Sequence, residues 1–275
     1  MKISRPDLPL IMKIVSLNIF DLPLWFVRDR KTRVGAIKDF LKDLNADVIC
    51  LQESFDPKHR EELNNFFEAN GYHASDKKVG RRSILGVSMD TTGGLVIFSK
   101  FPIFSRAFIA FDFISFAPQE SAGKKGALVA NVQTPQGKLR IVNTHLCQRS
   151  LFLEKRTRLN QMRRILNVLS LQSAMPTVIA GDFNEKDIFK NKIFGALMDA
   201  HTFVHPSTDE FHPTYRKENP YVNIWMNRIS HSKRIDYIMH NDLSPLNLIS
   251  SEYSVLYPER LLSDHDPVVL VLKTA

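Results

Sequence analysis

A chain of 275 residues with 44% hydrophobic content can bury a large core, which excludes a disordered polymer and fits one domain or two closely joined ones. The formal charge of +8 favours polyanionic partners, nucleic acid or an acidic membrane surface. No apolar run approaches the roughly 18 residues of a spanning helix, and Cys50, inside the run "DVICLQ", reads as a reduced core residue and not half of a bridge.

The opening "MKISRPDLPLIMKIVSLNIF" begins basic, but Asp7, Pro9 and Lys13 interrupt any signal-peptide core and no small-residue cleavage site follows. The expected protein is therefore soluble and cytoplasmic by default. A complete strand starts at Met12, so residues 1–11 are expected to form an appended, mobile segment ahead of one catalytic domain over 12–275. Strand patterns follow at "ADVICLQE", "GLVIFS", "GALVANVQT", "LRIVNTHL", "TVIAGDF", "RIDYIMH" and "DPVVLVLK". Between them, residues 33–44 set Val34, Ile37, Phe40, Leu41 and Leu44 on one helical face, and residues 61–68 suggest a shorter helix. The longest helix is predicted over 151–172, with Leu159, Met162, Ile165, Leu166 and Leu169 as its stripe and Arg156, Arg158, Arg163 and Arg164 off it. "TPQGK" is a hairpin turn with Gly137 available for positive φ. Hairpins mixed with strand, helix, strand units predict mixed sheets covered by helices.

The informative regularity is how these strands end. Asn18 follows "KIVSL", Glu53 follows "VICLQ", His145 follows "RIVNT", and Asp182 and Asn184 follow "TVIAG". Asp236 interrupts "RIDYIM", while Asp264 and His265 precede the last strand. Each has an ordinary reading alone, as an Asx turn, a helix-start acid, a cap or a hydrogen-bonded structural histidine. Asp236, between Ile235 and Tyr237, is expected to be buried and so to need a partner.

Together they supply what phosphoester hydrolysis needs. Glu53 and Asp264, with an amide oxygen from Asn18, suit a hard divalent cation, Mg²⁺ with Mn²⁺ or another ion able to substitute. His265 held by Asp236 suits a base for water. His145 and Asn184 suit donors beside developing phosphoryl charge, and Asp182 would align the water or a second metal. Asp266 is assigned no role beyond turn chemistry beside Pro267.

The motifs "SLN", "LQE", "NTHL", "GDFN", "RIDYI" and "SDHDPV", in this order from near the start to near the end of the chain, resemble those of the endonuclease/exonuclease/phosphatase superfamily. The resemblance implies a four-layer α/β sandwich, two mixed β-sheets face to face with helices outside. It also implies metal-dependent cleavage by a water held between His265 and Asp182. Glu53 is then the principal metal ligand, Asn18 and Asp264 support the metal site, Asp236 orients His265, and His145 with Asn184 stabilises the transition state. "KRIDYIM" departs from the inositol polyphosphate phosphatase signature, and "NTHL" departs from the tyrosine segment of abasic-site endonucleases. "SLNIFDLPLWFVRDRKTRVGAIKDFL", "GGLVIFSKFPI", "GKKGALVA" and "RLNQMRRIL" are most similar to the neutral sphingomyelinase branch. One departure stands out: relatives carry an acid just before the Gly-Gly strand start, where this chain has Thr91 and Thr92, so the partner of His145 is unassigned.

"FIAFDFISFAP" offers Phe108, Phe111, Phe113 and Phe116, either as buried strand and loop aromatics or as a lip entering a bilayer interface, with Lys124 and Lys125 meeting its phosphates. The expected substrate is a phosphodiester, sphingomyelin or a related phospholipid reached through peripheral membrane contact. A nucleic acid is the alternative, and a phosphoinositide or a non-catalytic phosphate-binding role ranks below both.

Overall fold

The structure, a computed structural model, describes residues 11–76, 81–84, 87–90, 92–111, 124–148, 153–170, 175–186, 197–200, 212–222 and 231–275. In chain order its elements are β1 (Ile11–Asp21), α1 (Arg30–Leu44), β2 (Val48–Ser54), α2 (Pro57–Ala69), β3 (His73–Ala74), β4 (Arg81–Ile84), β5 (Val87–Asp90), β6 (Val96–Ser99), β7 (Ile103–Ala110), β8 (Gly126–Thr134), β9 (Gly137–His145), α3 (Glu154–Ser170), β10 (Thr177–Asp182), β11 (Met198–Asp199), β12 (Asp236–His240), β13 (Leu248–Val255) and β14 (Val268–Thr274). One sheet runs β13-β14-β1-β2-β6-β3 and the other β11-β12-β10-β9-β8-β7, with β4-β5 a separate ribbon.

Both sheets have the same parallel centre. β1 pairs parallel with β2, and β9 with β10. A parallel pair needs a crossover, and α1 and α3 provide the two. Val and Ile dominate these strands because both faces are covered. On one side Val15, Leu17, Ile49 and Leu51 meet Ile37, Leu41, Leu63 and Phe67 of α1 and α2. Between the sheets Ile14, Val48, Cys50 and Ile97 meet Leu128, Ile141, Val178 and Ala180. Beyond the second sheet Met162 and Ile165 of α3 pack on Val129, Val142 and Ile179. The result is the predicted four-layer α/β sandwich. Cys50 and Cys147 are both buried and unbridged.

Several details differ from expectation. β1 begins at Ile11, paired with Lys273, one residue before the predicted boundary, and residues 1–10 lie outside the described ones. α2 starts at Pro57, not 61, because Asp56 caps it by accepting from Lys58 N (2.9 Å) and Pro57 suits the first turn. β7, of which only the end at Phe108 was offered as a strand, is an exposed edge strand, and β13 escaped notice because a register shift between Ser250 and Glu252 breaks its alternation. Arg158, predicted off the stripe of α3, is buried and donates to Glu185 Oε2 (2.6 Å) and Cys147 O (3.1 Å), tying the helix to the loops after β9 and β10.

A polar bolt crosses the apolar layer between the sheets. Gln52 Nε2 donates to Asn143 Oδ1 at 2.7 Å, and Asn143 Nδ2 donates to Leu51 O (2.8 Å) and Val96 O (2.9 Å), all without solvent. Asn143→Leu would leave these buried groups unsatisfied, at about 1–3 kcal/mol for each. The urea midpoint should therefore fall clearly, and an unchanged midpoint would contradict this reading of the bolt.

Candidate active site

Parallel centres in both sheets bring the carboxyl ends of β1, β2, β9 and β10 to one edge, where open α/β sheets bind ligands. Asn18, Glu53, His145 and Asp182 all stand there. β12 runs antiparallel to β10, so its first residue, Asp236, pairs with Asp182. β14 runs antiparallel to β1, which brings Asp264 and His265, just before it, to the same edge. Asn184 follows two residues after Asp182 at φ 52, its N–H donating to Asp182 Oδ1 at 2.8 Å. All eight predicted residues therefore converge.

Local backbone is shaped to suit them. Glu53 sits at φ 56 at the end of β2, an uncommon conformation for a non-glycine residue and one concentrated at functional sites. Before Asp182, Gly181 has φ 151, and a Cβ there would lie 1.9 Å from Thr144 O. Only glycine lets β10 approach β9 closely enough to set Asp182 beside His145.

The cleft is a row of carboxylates linked by amide and imidazole nitrogens. His265 Nδ1 lies 2.8 Å from Asp236 Oδ2, and its Nε2 lies 3.7 Å from Asp182 Oδ2. Asn18 Nδ2 donates to Asp182 Oδ2 (3.0 Å) and Glu53 Oε1 (3.1 Å). Its Oδ1 accepts from Phe20 N (3.0 Å). Asn18, predicted to offer its oxygen to a metal, is therefore placed instead as a donor that orients two carboxylates. Asp264 Oδ1 accepts from Ser263 Oγ at 3.1 Å. Arg33, buried on α1, donates to Ile19 O (2.7 Å) and Leu262 O (3.3 Å), tying the end of β1 to the loop that carries Asp264.

Burial, with Asp264 alongside, pushes the Glu53 carboxyl up to about 7. Burial also raises Asp182 to about 6, and raises Asp264. Burial alone would depress His265, but Asp236, Asp182 and Asp264 overcome it and hold the imidazole well above its ordinary value. His145 is the opposite case, held well below by burial and by Lys125.

The residues fit a divalent cation. Ligand atoms of Glu53, His145 and Asp182 lie within 4.8 Å of one another, as do those of Asp182, Asp236 and His265. Glu53 Oε2 is buried with no hydrogen-bond partner among the described residues. Crowded, desolvated carboxylates with a spare oxygen suit a hard cation bound through oxygen.

Lys125 was missed as a site residue. It is buried, and its Nζ donates to His145 Nε2 (3.0 Å) and Leu146 O (2.9 Å). It is a partner for His145, whose partner the sequence left unassigned, and beside an ammonium group the imidazole Nε2 is the acceptor. Lys125 precedes the core strand β8 just as His265 precedes β14, so the strand-end rule would have found it. Asp90 does not fill that role, because its Oδ2 accepts from Thr92 N (2.8 Å) and Gly94 N (3.2 Å) and closes the Gly93-Gly94 turn. Of the proposed lip, Phe111 is buried in the core and Phe108 is exposed; Phe113 and Phe116 lie outside the described residues. Trp25, passed over in the sequence, is 92% exposed on the loop after β1. Among the described residues no helix is long and apolar enough to cross a membrane.

The double α/β sandwich gathers acids, imidazoles and a lysine at its strand ends, a set of side chains suited to metal-assisted hydrolysis of a phosphate ester. The model of the Endonuclease/Exonuclease/phosphatase family matches residues 24–265, and the chain belongs to that family. Solved structures similar to it include sphingomyelinase C from Streptomyces griseocarneus, at TM-score 0.72 and 18% identity over 95% of this chain and 99% of that one. Beta toxin from Staphylococcus aureus has TM-score 0.72 and 19% identity over 94% and 99% of the two chains. TDP2 of D. rerio, complexed with a single-strand DNA product, has TM-score 0.70 and 18% identity over 95% and 98%. At these identities the likeness is one of fold. No curated protein matches the chain by sequence.

Proposed function

We propose that the protein is a Mg²⁺-dependent phosphodiesterase that releases the phosphorylated headgroup of a sphingomyelin-like phospholipid by in-line attack of water, with residues 12–275 acting as one catalytic domain. The chemistry rests on the His265–Asp236 pair. Asp236 Oδ2 meets Nδ1 at 2.8 Å and fixes the orientation of the ring, so that Nε2 faces Asp182 at a distance too long for a direct hydrogen bond. This makes His265 the base and Asp182 the group that aligns the attacking water. Glu53 and Asp264 are the carboxylates that would hold the cation, with Asn18 orienting Glu53. When bound, the cation supplies Lewis-acid stabilisation of the phosphoryl oxygens. Lys125 and Asn184, both anchored on Leu146 O, are the donors beside the charge that develops there, and neutral His145 fixes Lys125.

The lipid half of the reading rests on Trp25. A tryptophan 92% exposed, stacked edge-on against Phe26 at 5.7 Å and flanked by half-buried Leu22 and Leu24, on the loop that follows the strand carrying Asn18, suits a bilayer interface. Arg28 and Lys31, exposed in the same stretch, suit lipid phosphates. The second reading, a nuclease, is favoured by the +8 charge, and predicts cleavage of DNA or RNA that falls steeply with salt. Headgroup release from sphingomyelin vesicles with Mg²⁺ tests the first. Trp25→Ala should lower turnover on vesicles about tenfold while leaving a small soluble diester unaffected, on the scale of the apolar area lost. Equal turnover on vesicles by both proteins would remove the support from Trp25.

A further inference from the structure

Asp236 and His265 come from different sheets, Asp236 from the start of β12 and His265 from the loop before β14. Their side chains are joined by one hydrogen bond of 2.8 Å. A short segment, residues 212–216, bridges both sides of this junction. Thr214 Oγ1 accepts from Ile235 N (3.1 Å) and Asp236 N (3.2 Å), while Thr214 O accepts from Asp266 N (2.8 Å). Tyr215 forms an antiparallel bridge with Lys233, its N–H donating to Lys233 O at 2.9 Å and its O accepting from Lys233 N at 2.8 Å. The Tyr215 ring is buried against the His265 ring, with centroids 4.9 Å apart.

The next residue locks the segment down. Arg216 Nε donates to Asp266 Oδ2 at 2.5 Å and Nη2 donates to Oδ1 at 2.9 Å, a two-pronged fit that fixes orientation as well as distance. Asp266 is 3% exposed, against the expectation of simple turn chemistry beside Pro267. The Arg216 guanidinium also lies 4.8 Å over the ring of Tyr257, whose hydroxyl donates to Pro213 O at 3.2 Å. The segment is thus held at Pro213, Thr214, Tyr215 and Arg216.

We propose that Arg216, through its forked pair with Asp266, is a positioning residue that presses Tyr215 onto His265 and keeps His265 in line with Asp236. The proposal rests on the reading of His265 as the base of the reaction. The hydrogen bond to Asp236 fixes one edge of the imidazole but not its tilt about that bond. Tyr215 on the ring face sets the tilt, and Arg216 keeps Tyr215 from withdrawing. Arg216 touches neither substrate nor water in this account.

The test pairs kinetics on bis(p-nitrophenyl) phosphate, with saturating Mg²⁺, and proton NMR of the His265 Nδ1 proton, assigned by its absence in His265→Ala. Arg216→Met and Asp266→Asn should each lower kcat about 10- to 100-fold, the scale of a small misplacement of a catalytic group, with KM little changed. The double variant should be no worse than either single one, because both remove the same clamp. Arg216→Lys, which keeps the charge and loses the fork, should recover only part of the rate. In folded Arg216→Met, checked by circular dichroism, the His265 proton should exchange faster and broaden. An unchanged kcat and an unchanged His265 signal, with only thermal stability lowered, would overturn the proposal. Wild-type protein inert on the diester would instead defeat the reading of the site, and the NMR comparison would still decide whether the clamp acts on His265.

Discussion

His265→Ala is expected to lower kcat on a phosphodiester by about 10²- to 10⁴-fold, the usual contribution of a positioned acid or base. The loss should fall on kcat and not on KM, because Nε2 faces Asp182, where the proposed mechanism sets the attacking water, whereas Lys125 and Asn184, the proposed phosphoryl donors, remain. Asp236→Asn should follow it in kind. The amide cannot accept the Nδ1 proton in the same way, and the carboxylate that contributes to holding the imidazole well above its ordinary pKa is gone. Folding should survive both changes, since the residues lie at the sandwich's edge. Full activity in His265→Ala would remove His265 from the mechanism.

Glu53→Gln carries the second large expectation, about a thousandfold loss of activity with Mg²⁺, the scale of several kcal/mol of electrostatic stabilisation. It also makes a prediction of opposite sign about stability. The Glu53 carboxyl is raised from 4.5 to about 7 in the folded protein, so the folded state holds this proton more tightly than the unfolded chain does. Its contribution to stability is full below pH 4.5 and is lost as pH rises through about 7. Without divalent cation at pH 8, Glu53→Gln should therefore melt at a higher temperature than wild type, the trade between activity and stability seen at many active sites. Cation binding must displace the same proton, so calorimetry near pH 6 in buffers of different ionisation enthalpy should show proton release in wild type and much less in Glu53→Gln. A lower melting temperature in the cation-free variant would contradict the account of Glu53.

The mixed sheets and most of the cleft were legible because both are written as local pattern, whereas the stacking into four layers came from the family resemblance. Apolar runs such as "KIVSL" and "TVIAG" end abruptly in Asn18 or Asp182, and the polar residues mark where core strands surface. What stayed hidden depends on distant partners. Asp266 next to a proline looks like a turn, and only the fold brings Arg216 to it from 50 positions away. "HPTYRKENP" has no period, so nothing in it announces that Tyr215 faces His265. Lys125 stands at a strand start where the strand-end rule could flag it, but its burial beside His145 follows from the pairing of β8 with β9. The Asn18 motif likewise gives no sign that its oxygen accepts from Phe20 N in the turn at φ 48.

The most direct test is hydrolysis of sphingomyelin vesicles in heavy-oxygen water with Mg²⁺, followed by phosphorus NMR. The account predicts phosphocholine carrying the heavy oxygen on phosphorus, with no product after chelation and release slowed by about 10²- to 10⁴-fold in His265→Ala. Release of phosphocholine without the label on phosphorus, or no cleavage of any lipid or nucleic-acid phosphodiester with the metal present, would contradict it.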